Sequence, residues 1–294
     1  MVRRHELTDG QWRVIEPLLP ASGVKGRPRV DDRRVINGML FKAKTGVAWR
    51  GLPERYGPWK TVYNRFWRWS RNDTLTTLVS HRYGCSPRRS TNSTARSLST
   101  PRSCGRISTL PGPAETWPTT QGASGSCGGH TEPDDHAIGR SRGGPTTKIH
   151  LACDGHGRPL SVVLTGGNVN DCTMFGQVLA GIRFRRPGPG RPATTPSRVI
   201  ADKGYSTQAI RAELRRRHIS ATIPQRRDQR ANRRRRGKSG DRPPAFDPLA
   251  YKRRNIVERC FNRLKQYRAI ATRFDKTAIS YQGMIDLATL LIWL

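Results

Sequence analysis

Apolar residues recur with a helical period along the first 70 residues. Three helices are predicted, over residues 8–20, 31–46 and 58–71. Thr8 and Asp31 stand at N-cap positions, and Gly46 stands where a helix ends. This part of the chain is therefore predicted to be a small helical unit.

The third predicted helix alternates aromatic residues with the bases Lys60, Arg65 and Arg68. A helix, a short glycine-containing turn and a basic helix follow one another in helix-turn-helix modules. The order predicts DNA binding through these three bases. The alternative is a plain helical subdomain whose tryptophans form its core.

From residue 148 the pattern changes to short apolar strands that alternate with helices. A hairpin is predicted over 148–153 and 160–164, and further strands over 198–201 and 220–223. Helices are predicted over 172–182, over 207–217 with Ser206 as its cap, over 249–268 and over 280–294. This order indicates an α/β fold with a ribonuclease-H-like mixed sheet flanked by helices, interrupted by a basic insertion at 225–248.

Residues 84–133 differ from both neighbouring regions. They are rich in Ser, Thr, Pro, Gly and Arg, contain no Asp, Lys, Val, Phe or Tyr, and show no sustained period. Such a segment buries too little apolar area to offset the entropy of ordering, so it is predicted to be disordered.

The charge is strongly one-sided, with 54 Lys and Arg against 21 Asp and Glu and a formal net charge of +33. Nucleic acid is the expected partner, because neutralising phosphates releases condensed counterions. A GC-rich genome would explain Arg in place of Lys but not the shortage of acids. No apolar run approaches a membrane span or a signal peptide, and no cysteine pair has zinc-ligand spacing, so we expect a cytoplasmic protein with reduced thiols.

Two carboxylates are candidates for catalysis. Asp202 directly follows a predicted buried strand, which is where α/β sheets place ligand sites, although a surface Asp that starts a turn fits equally well. Glu258 shares a stripe about 60° wide with Tyr251, Arg254 and Lys265 on the predicted helix. Such a stripe suits a metal-bound phosphodiester, but an exposed i,i+4 ion pair of Arg254 with Glu258 would produce the same spacing.

Tyr251, Arg254, Glu258 and Lys265 match the Y-R-E-K signature of bacterial insertion-sequence DDE transposases at all four spacings. The chain resembles the insertion-sequence-five branch of that family in further stretches, at 49–53, 57–63, 134–144, 148–155 and 201–205. The likeness covers about residues 1–75 and 134–294.

The resemblance implies a ribonuclease-H-like domain in which Asp, Asp and Glu hold two Mg²⁺ or Mn²⁺ ions for strand cleavage and transfer. By resemblance, Asp202 is the second acid and Glu258 the third, while Tyr251, Arg254 and Lys265 position phosphates. It also implies terminal-repeat and target DNA as double-stranded partners, and a homo-oligomer on that DNA.

The family's first Asp has no counterpart, because no Asp occurs between Asp73 and Asp134. Residues 107–110 lie about where its strand should be, without a carboxylate. Asp134 or Asp135 would be poor substitutes, since both lie in a Gly- and Arg-rich linker. We hypothesise that residues 84–133 are read out of frame, which resequencing the gene would test.

Three regions follow from this reading: a DNA-binding domain at 1–75, an aberrant segment at 76–133, and a DDE domain at 134–294. The chain is expected to bind DNA and to cleave it weakly or not at all. The alternative functions are a non-catalytic DNA-binding remnant and a general ribonuclease-H-like nuclease, the second of which would not need the N-terminal basic helix.

Overall fold

The N-terminal part of the protein is helical in a computed structural model. The structure describes residues 5–20, 30–82, 96–99, 136–141, 144–184, 193–240 and 242–294. The helices are α1 (Asp9–Ile15), α2 (Asp32–Thr45), α3 (Trp59–Arg71) and α4 (Thr74–Arg82). The three predicted helices are confirmed, with Thr8 and Asp31 as N-caps and Gly46 as a left-handed C-cap at φ 71°.

A mixed sheet forms the second layer. Its strands are β1 (Arg96–Ser99), β2 (Gly139–Ser141), β3 (Gly144–Cys153), β4 (Pro159–Gly166), β5 (Arg198–Ile200) and β6 (Ser220–Thr222). Strands β4, β3 and β1 are antiparallel neighbours, whereas β1, β5 and β6 are parallel neighbours. Strand β2 adds to the outer part of β3. Because both parallel pairs run in the same direction, β1 and β5 end at the same edge of the sheet.

Strand β1 lies in the middle of this sheet and corrects one prediction. Residues 84–133 were expected to be disordered, yet residues 96–99 pair with β3 on one side and with β5 on the other. The pairing uses backbone groups, so a segment with no strand-like alternation of its own can be ordered by its two neighbours. The predicted strand position at 107–110 lies outside the described residues.

Seven helices complete the described part of this region: α5 (Phe175–Gly181), α6 (Gln208–Arg216), α7 (Arg227–Arg235), α8 (Pro248–Lys252), α9 (Asn255–Lys265), α10 (Arg268–Thr272) and α11 (Ala278–Trp293). Helix α6 is capped by Thr207, whose hydroxyl accepts from the Ile210 N–H, and not by Ser206 as predicted. Helix α7 lies in the basic insertion, where no helix was predicted.

The predicted single helix over 249–268 is divided into α8, α9 and α10. Ala250 and Tyr251 pack on Ile200 of β5, whereas Val257 and Cys260 join the large core that includes β3. One straight helix cannot present both sets to their partners, so the chain turns at Arg253 and Arg254 through i to i+3 hydrogen bonds.

The largest core joins the two ends of the chain. It includes buried residues from α2 and α3, such as Met39 and Phe66, together with Leu264 of α9 and Met284 of α11. A second core lies between the sheet and helices α5 and α6. Among the described helices, none is both long and apolar enough to cross a membrane.

Candidate active site

Asp202 lies just beyond the C-terminal end of β5, at the edge where the parallel strands end. Its strand is anchored by Val199 and Ile200, which are fully buried, while Asp202 itself is partly exposed. Its Oδ1 accepts the Gly204 N–H at 2.7 Å and caps the turn Lys203–Tyr205. Asp202 thus has both positions considered from the sequence, at a strand end and at the start of a turn.

Glu258 lies in the first turn of α9, where its Oε1 is 3.0 Å from Nη1 of Arg254. The two side chains are 26% and 29% exposed, so a partner in solution can reach both. The Arg254 guanidinium carbon is also 5.9 Å from the ring centroid of Tyr251. The i,i+4 ion pair therefore exists, and it forms part of a cluster with Tyr251.

Tyr251 connects the two candidate acids electrostatically. Burial raises the pKa of its hydroxyl, Arg254 opposes that shift, and the negative charges of Asp202 and Glu258 add to it. Both carboxylates therefore lie close enough to act on the same phenol. Lys265 is exposed at the end of α9, two turns beyond Glu258, and no described contact joins it to this cluster.

The acids among the described residues do not by themselves provide a site for a pair of divalent ions. Within the described ranges, no three His, Cys, Asp or Glu side chains lie close enough together to hold a metal. The central strand β1 has the sequence Arg-Ser-Leu-Ser, without a carboxylate, and Asp134 and Asp135 lie outside the described residues. Paired Mg²⁺ ions need hard oxygen ligands that bridge them, and two acids supply too few.

A further carboxylate, Asp171, lies on the same side of the fold as Asp202. Burial raises the pKa of Tyr205, and the charges of both aspartates add to that shift. Asp171 is nevertheless engaged within the fold, since its Oδ1 is 3.0 Å from Nζ of Lys148. Its neighbour Asn170 caps the following turn by accepting from the Cys172 N–H.

The basic helix α3 presents only part of its charge to solvent. Lys60 and Arg68 are exposed. Arg65 is 11% exposed and forms an ion pair with Asp32 of α2, so it is the least accessible of the three bases predicted to contact DNA. The sequence could not separate these three bases, because the pairing depends on a residue 33 positions away.

A groove that the sequence indicated only in part lies between α6, β6 and α7. We call it the arginine groove, and its volume is about 980 Å³. No acid is among the described residues that line it, and five arginines do: Arg211, Arg215, Arg233, Arg236 and Arg242. Two of them are tied to the fold, through the Ile223 carbonyl and the Gln225 side chain, and the other three are exposed.

The comparisons with known proteins agree with this architecture. Residues 7–79 match the family described as putative transposase of IS4/5 family (DUF4096), and residues 117–293 match the transposase DDE domain. A putative transposase for insertion sequence element IS6501 from Brucella ovis is 33% identical over 149 residues, which is 51% of this chain and 98% of the relative. A putative transposase for IS402 from Burkholderia cepacia is 32% identical over 151 residues, 51% of this chain and 64% of the relative. No solved structure matches the chain.

Proposed function

The chain belongs to the IS4/5-type DDE transposases, and from that membership we propose that it binds the terminal inverted repeats of an insertion sequence at the bacterial nucleoid. DDE transposase domains act on DNA and in general use divalent metal ions. The domain limits that we propose are 1–75 for terminal-repeat binding and 134–294 for a ribonuclease-H-like catalytic domain. Support for this fold comes from the strand order, with three antiparallel strands followed by two parallel ones.

In this proposal Asp202 and Glu258 are what remains of the catalytic acids, and Tyr251, Arg254 and Lys265 hold the phosphate beside them. Arg254 is suited to this because a guanidinium can turn one edge to Glu258 and another to a phosphate oxygen. The Tyr251 hydroxyl is protonated at neutral pH, as phenols ordinarily are, and burial raises its pKa further, so it can donate to a phosphate oxygen. These side chains would orient DNA whether or not it is cut.

Double-stranded DNA would also contact the exposed bases Lys60 and Arg68 of α3 and the arginine groove. The net charge of +33 supports this, since a chain with so few acids repels itself unless a polyanion neutralises it. Two separate basic surfaces favour engagement of more than one stretch of DNA, and we expect a homo-oligomer to form on it.

The single observation that carries the remainder of the proposal is the absence of the first acid from β1. A sheet position between β3 and β5 is present, but its sequence offers no metal ligand. The chain is therefore proposed to be a DNA-binding transposase whose strand cleavage is weak or absent. This favours the second candidate function, a non-catalytic remnant that still occupies the element's ends.

A cleavage assay with Mg²⁺ on terminal-repeat DNA tests this directly. We expect the parent protein to retard this DNA while nicking it no faster than the Asp202→Ala variant. Robust cleavage by the parent that is lost in Asp202→Ala would refute the impairment. Absence of any DNA retention at low salt would refute the function as a whole.

A restoration experiment sharpens this test. Ser97 pairs with Ile200 in the parallel register, so Ser99 on β1 lies level with Asp202. The variant Ser99→Asp is expected to gain Mg²⁺-dependent nicking, and the gain should disappear when Asp202→Ala is added. The control is Ser97→Asp on the same strand, which makes the same substitution and the same change in charge farther from the edge.

A further inference from the structure

A second cavity, of about 490 Å³, lies between the N-terminal helices and the segment that precedes α11. Its lining includes four aromatic rings and three charged side chains: Lys42, Trp49, Tyr63, Trp67, Phe274, Asp275 and Lys276. We call it the aromatic pocket. Trp67 and Phe274 are 44% and 53% exposed, so the pocket opens to solvent between two aromatic faces.

Lys42 is a buried cation in this pocket. It is 2% exposed, and its Nζ lies 5.7 Å from the centroid of Trp49 and 5.1 Å from that of Phe274. Within the described part of the chain, no carboxylate is within ion-pair distance of it. Burial lowers its pKa, and the charge of Asp275 opposes that shift. Cation–π contacts offset part of the cost of burying an ammonium, but they leave its hydrogen-bond donors unused.

Asp275 contributes a negative charge and a hydrogen-bond acceptor to the aromatic pocket. Its Oδ2 is buried and has no hydrogen-bond partner among the described residues. Burial raises the pKa of this carboxyl, while Lys42 and Arg273 oppose the shift. Buried polar groups in folded proteins are nearly always satisfied, so the open Oδ2 of Asp275, in the same cavity as the Lys42 ammonium, indicates a ligand that supplies a donor to the carboxylate and an acceptor to the ammonium.

The complementary ligand is a flat ring that carries a carbonyl beside a ring N–H. Thymine and guanine have this pair on the edge used for base pairing, whereas adenine and cytosine have a ring nitrogen that only accepts. The carbonyl would accept from Lys42, the ring N–H would donate to Asp275, and the aromatic side chains would provide a stacking surface.

We propose that the aromatic pocket binds one unpaired thymine or guanine base of bound DNA. The proposal rests on the DNA-binding function above. A duplex is too wide for this cavity, so the base must leave its stack, and unstacking is least costly where the base is already unpaired. Lys276, which is exposed at the pocket, is placed to meet the phosphate of that nucleotide.

Duplexes of one fixed sequence with a single central bulge test the proposal. The bulge is thymine, guanine, adenine, cytosine or an abasic residue, and Kd is measured for the full chain by fluorescence anisotropy. We expect thymine and guanine bulges to bind about tenfold more tightly than the abasic bulge, the effect of one stacked and hydrogen-bonded base. Adenine and cytosine bulges should gain less affinity over the abasic bulge than thymine and guanine bulges do.

Two variants separate stacking from recognition. Trp67→Ala should remove most of the affinity that each bulged base gains over the abasic bulge, up to about tenfold for thymine and guanine, without changing the Kd for the paired duplex. Ile279→Ala is the control, because Ile279 is 43% exposed nearby but does not line the pocket. Asp275→Asn should remove most of the preference for thymine and guanine, because the amide can also donate to adenine or cytosine.

The outcomes are distinguishable from failure of the DNA-binding function. If the parent binds paired duplex but does not distinguish a thymine bulge from an abasic one, the pocket proposal is overturned and DNA binding stands. If Trp67→Ala and Ile279→Ala behave alike, the pocket is likewise excluded as the base site. Failure to bind any of the duplexes would overturn both proposals.

Discussion

Neutralising arginines of the arginine groove should weaken DNA binding in a salt-dependent manner. The informative variant is Arg215→Gln with Arg236→Gln, since both side chains line the groove and are exposed. The chain offers a matched control in Arg216→Gln with Arg234→Gln. Arg216 follows Arg215 on α6, and Arg234 lies on α7 two positions before Arg236, so the control removes the same charge from the same part of the chain without lining the groove.

The magnitude follows from counterion release. Each lost phosphate contact lowers the slope of log K against log salt by about 0.9, so two contacts lower it by about 1.8. Between about 50 and 200 mM salt, the affinity advantage of the parent over the groove variant should then shrink by about 12-fold. Arg216 is 72% exposed and already paired with Glu213, so its removal should change the slope much less.

Fluorescence anisotropy of a labelled duplex at four or more salt concentrations measures these slopes. Thermal unfolding of each variant serves as the folding control, because all four arginines are exposed and the fold should be retained. Equal slopes for the groove pair and the control pair would refute the reasoning. That result would show that binding responds to net charge alone and not to the groove.

Three further predictions concern stability. Burial raises the pKa of Asp286 to about 6, so the folded state binds this proton more tightly than the unfolded state. The free energy of unfolding should therefore fall as pH rises from about 4 to 6. In urea unfolding at several pH values, the parent should lose up to about 3 kcal/mol across that range relative to Asp286→Asn. The Trp293 Nε1–H donates to the buried Pro159 carbonyl at 2.8 Å. Trp293→Phe should therefore lower the free energy of unfolding by about 1–3 kcal/mol, because the carbonyl loses its donor. An unchanged free energy of unfolding would show that the carbonyl finds another donor. Gly46→Ala should cost at least about 1 kcal/mol by the same measurement, because φ is +71° and a Cβ would lie 2.7 Å from Phe274.

Local signals in the sequence were sufficient for most helices and strands. The caps at Thr8 and Asp31 and the stop at Gly46 are chemical features of single residues, and the structure confirms each of them. The hairpin of β3 and β4 was likewise visible from alternation and from the Asp154 turn. These features depend on neighbours within a few positions, which a sequence displays directly.

What could not be predicted depends on distant partners. The break between α8 and α9 arises because Tyr251 packs on β5 while Val257 packs in the large core. The ion pair of Arg65 with Asp32 is invisible in the helix period of α3. The basic insertion at 225–248 was visible in the sequence, but only the fold brings Arg215 of α6 into the same groove as its arginines.

The backbone pairing of strand β1 explains how the proposed loss of strand cleavage is compatible with an intact fold. A strand in the middle of a sheet is held by backbone hydrogen bonds on both sides, and these are indifferent to whether a residue carries a carboxylate. The proposed DNA contacts come from α3, the arginine groove and the Arg254 cluster, none of which is on β1. Folding and the proposed DNA contacts therefore do not require an acid on β1. Strand cleavage is the one step of the proposed function that requires it.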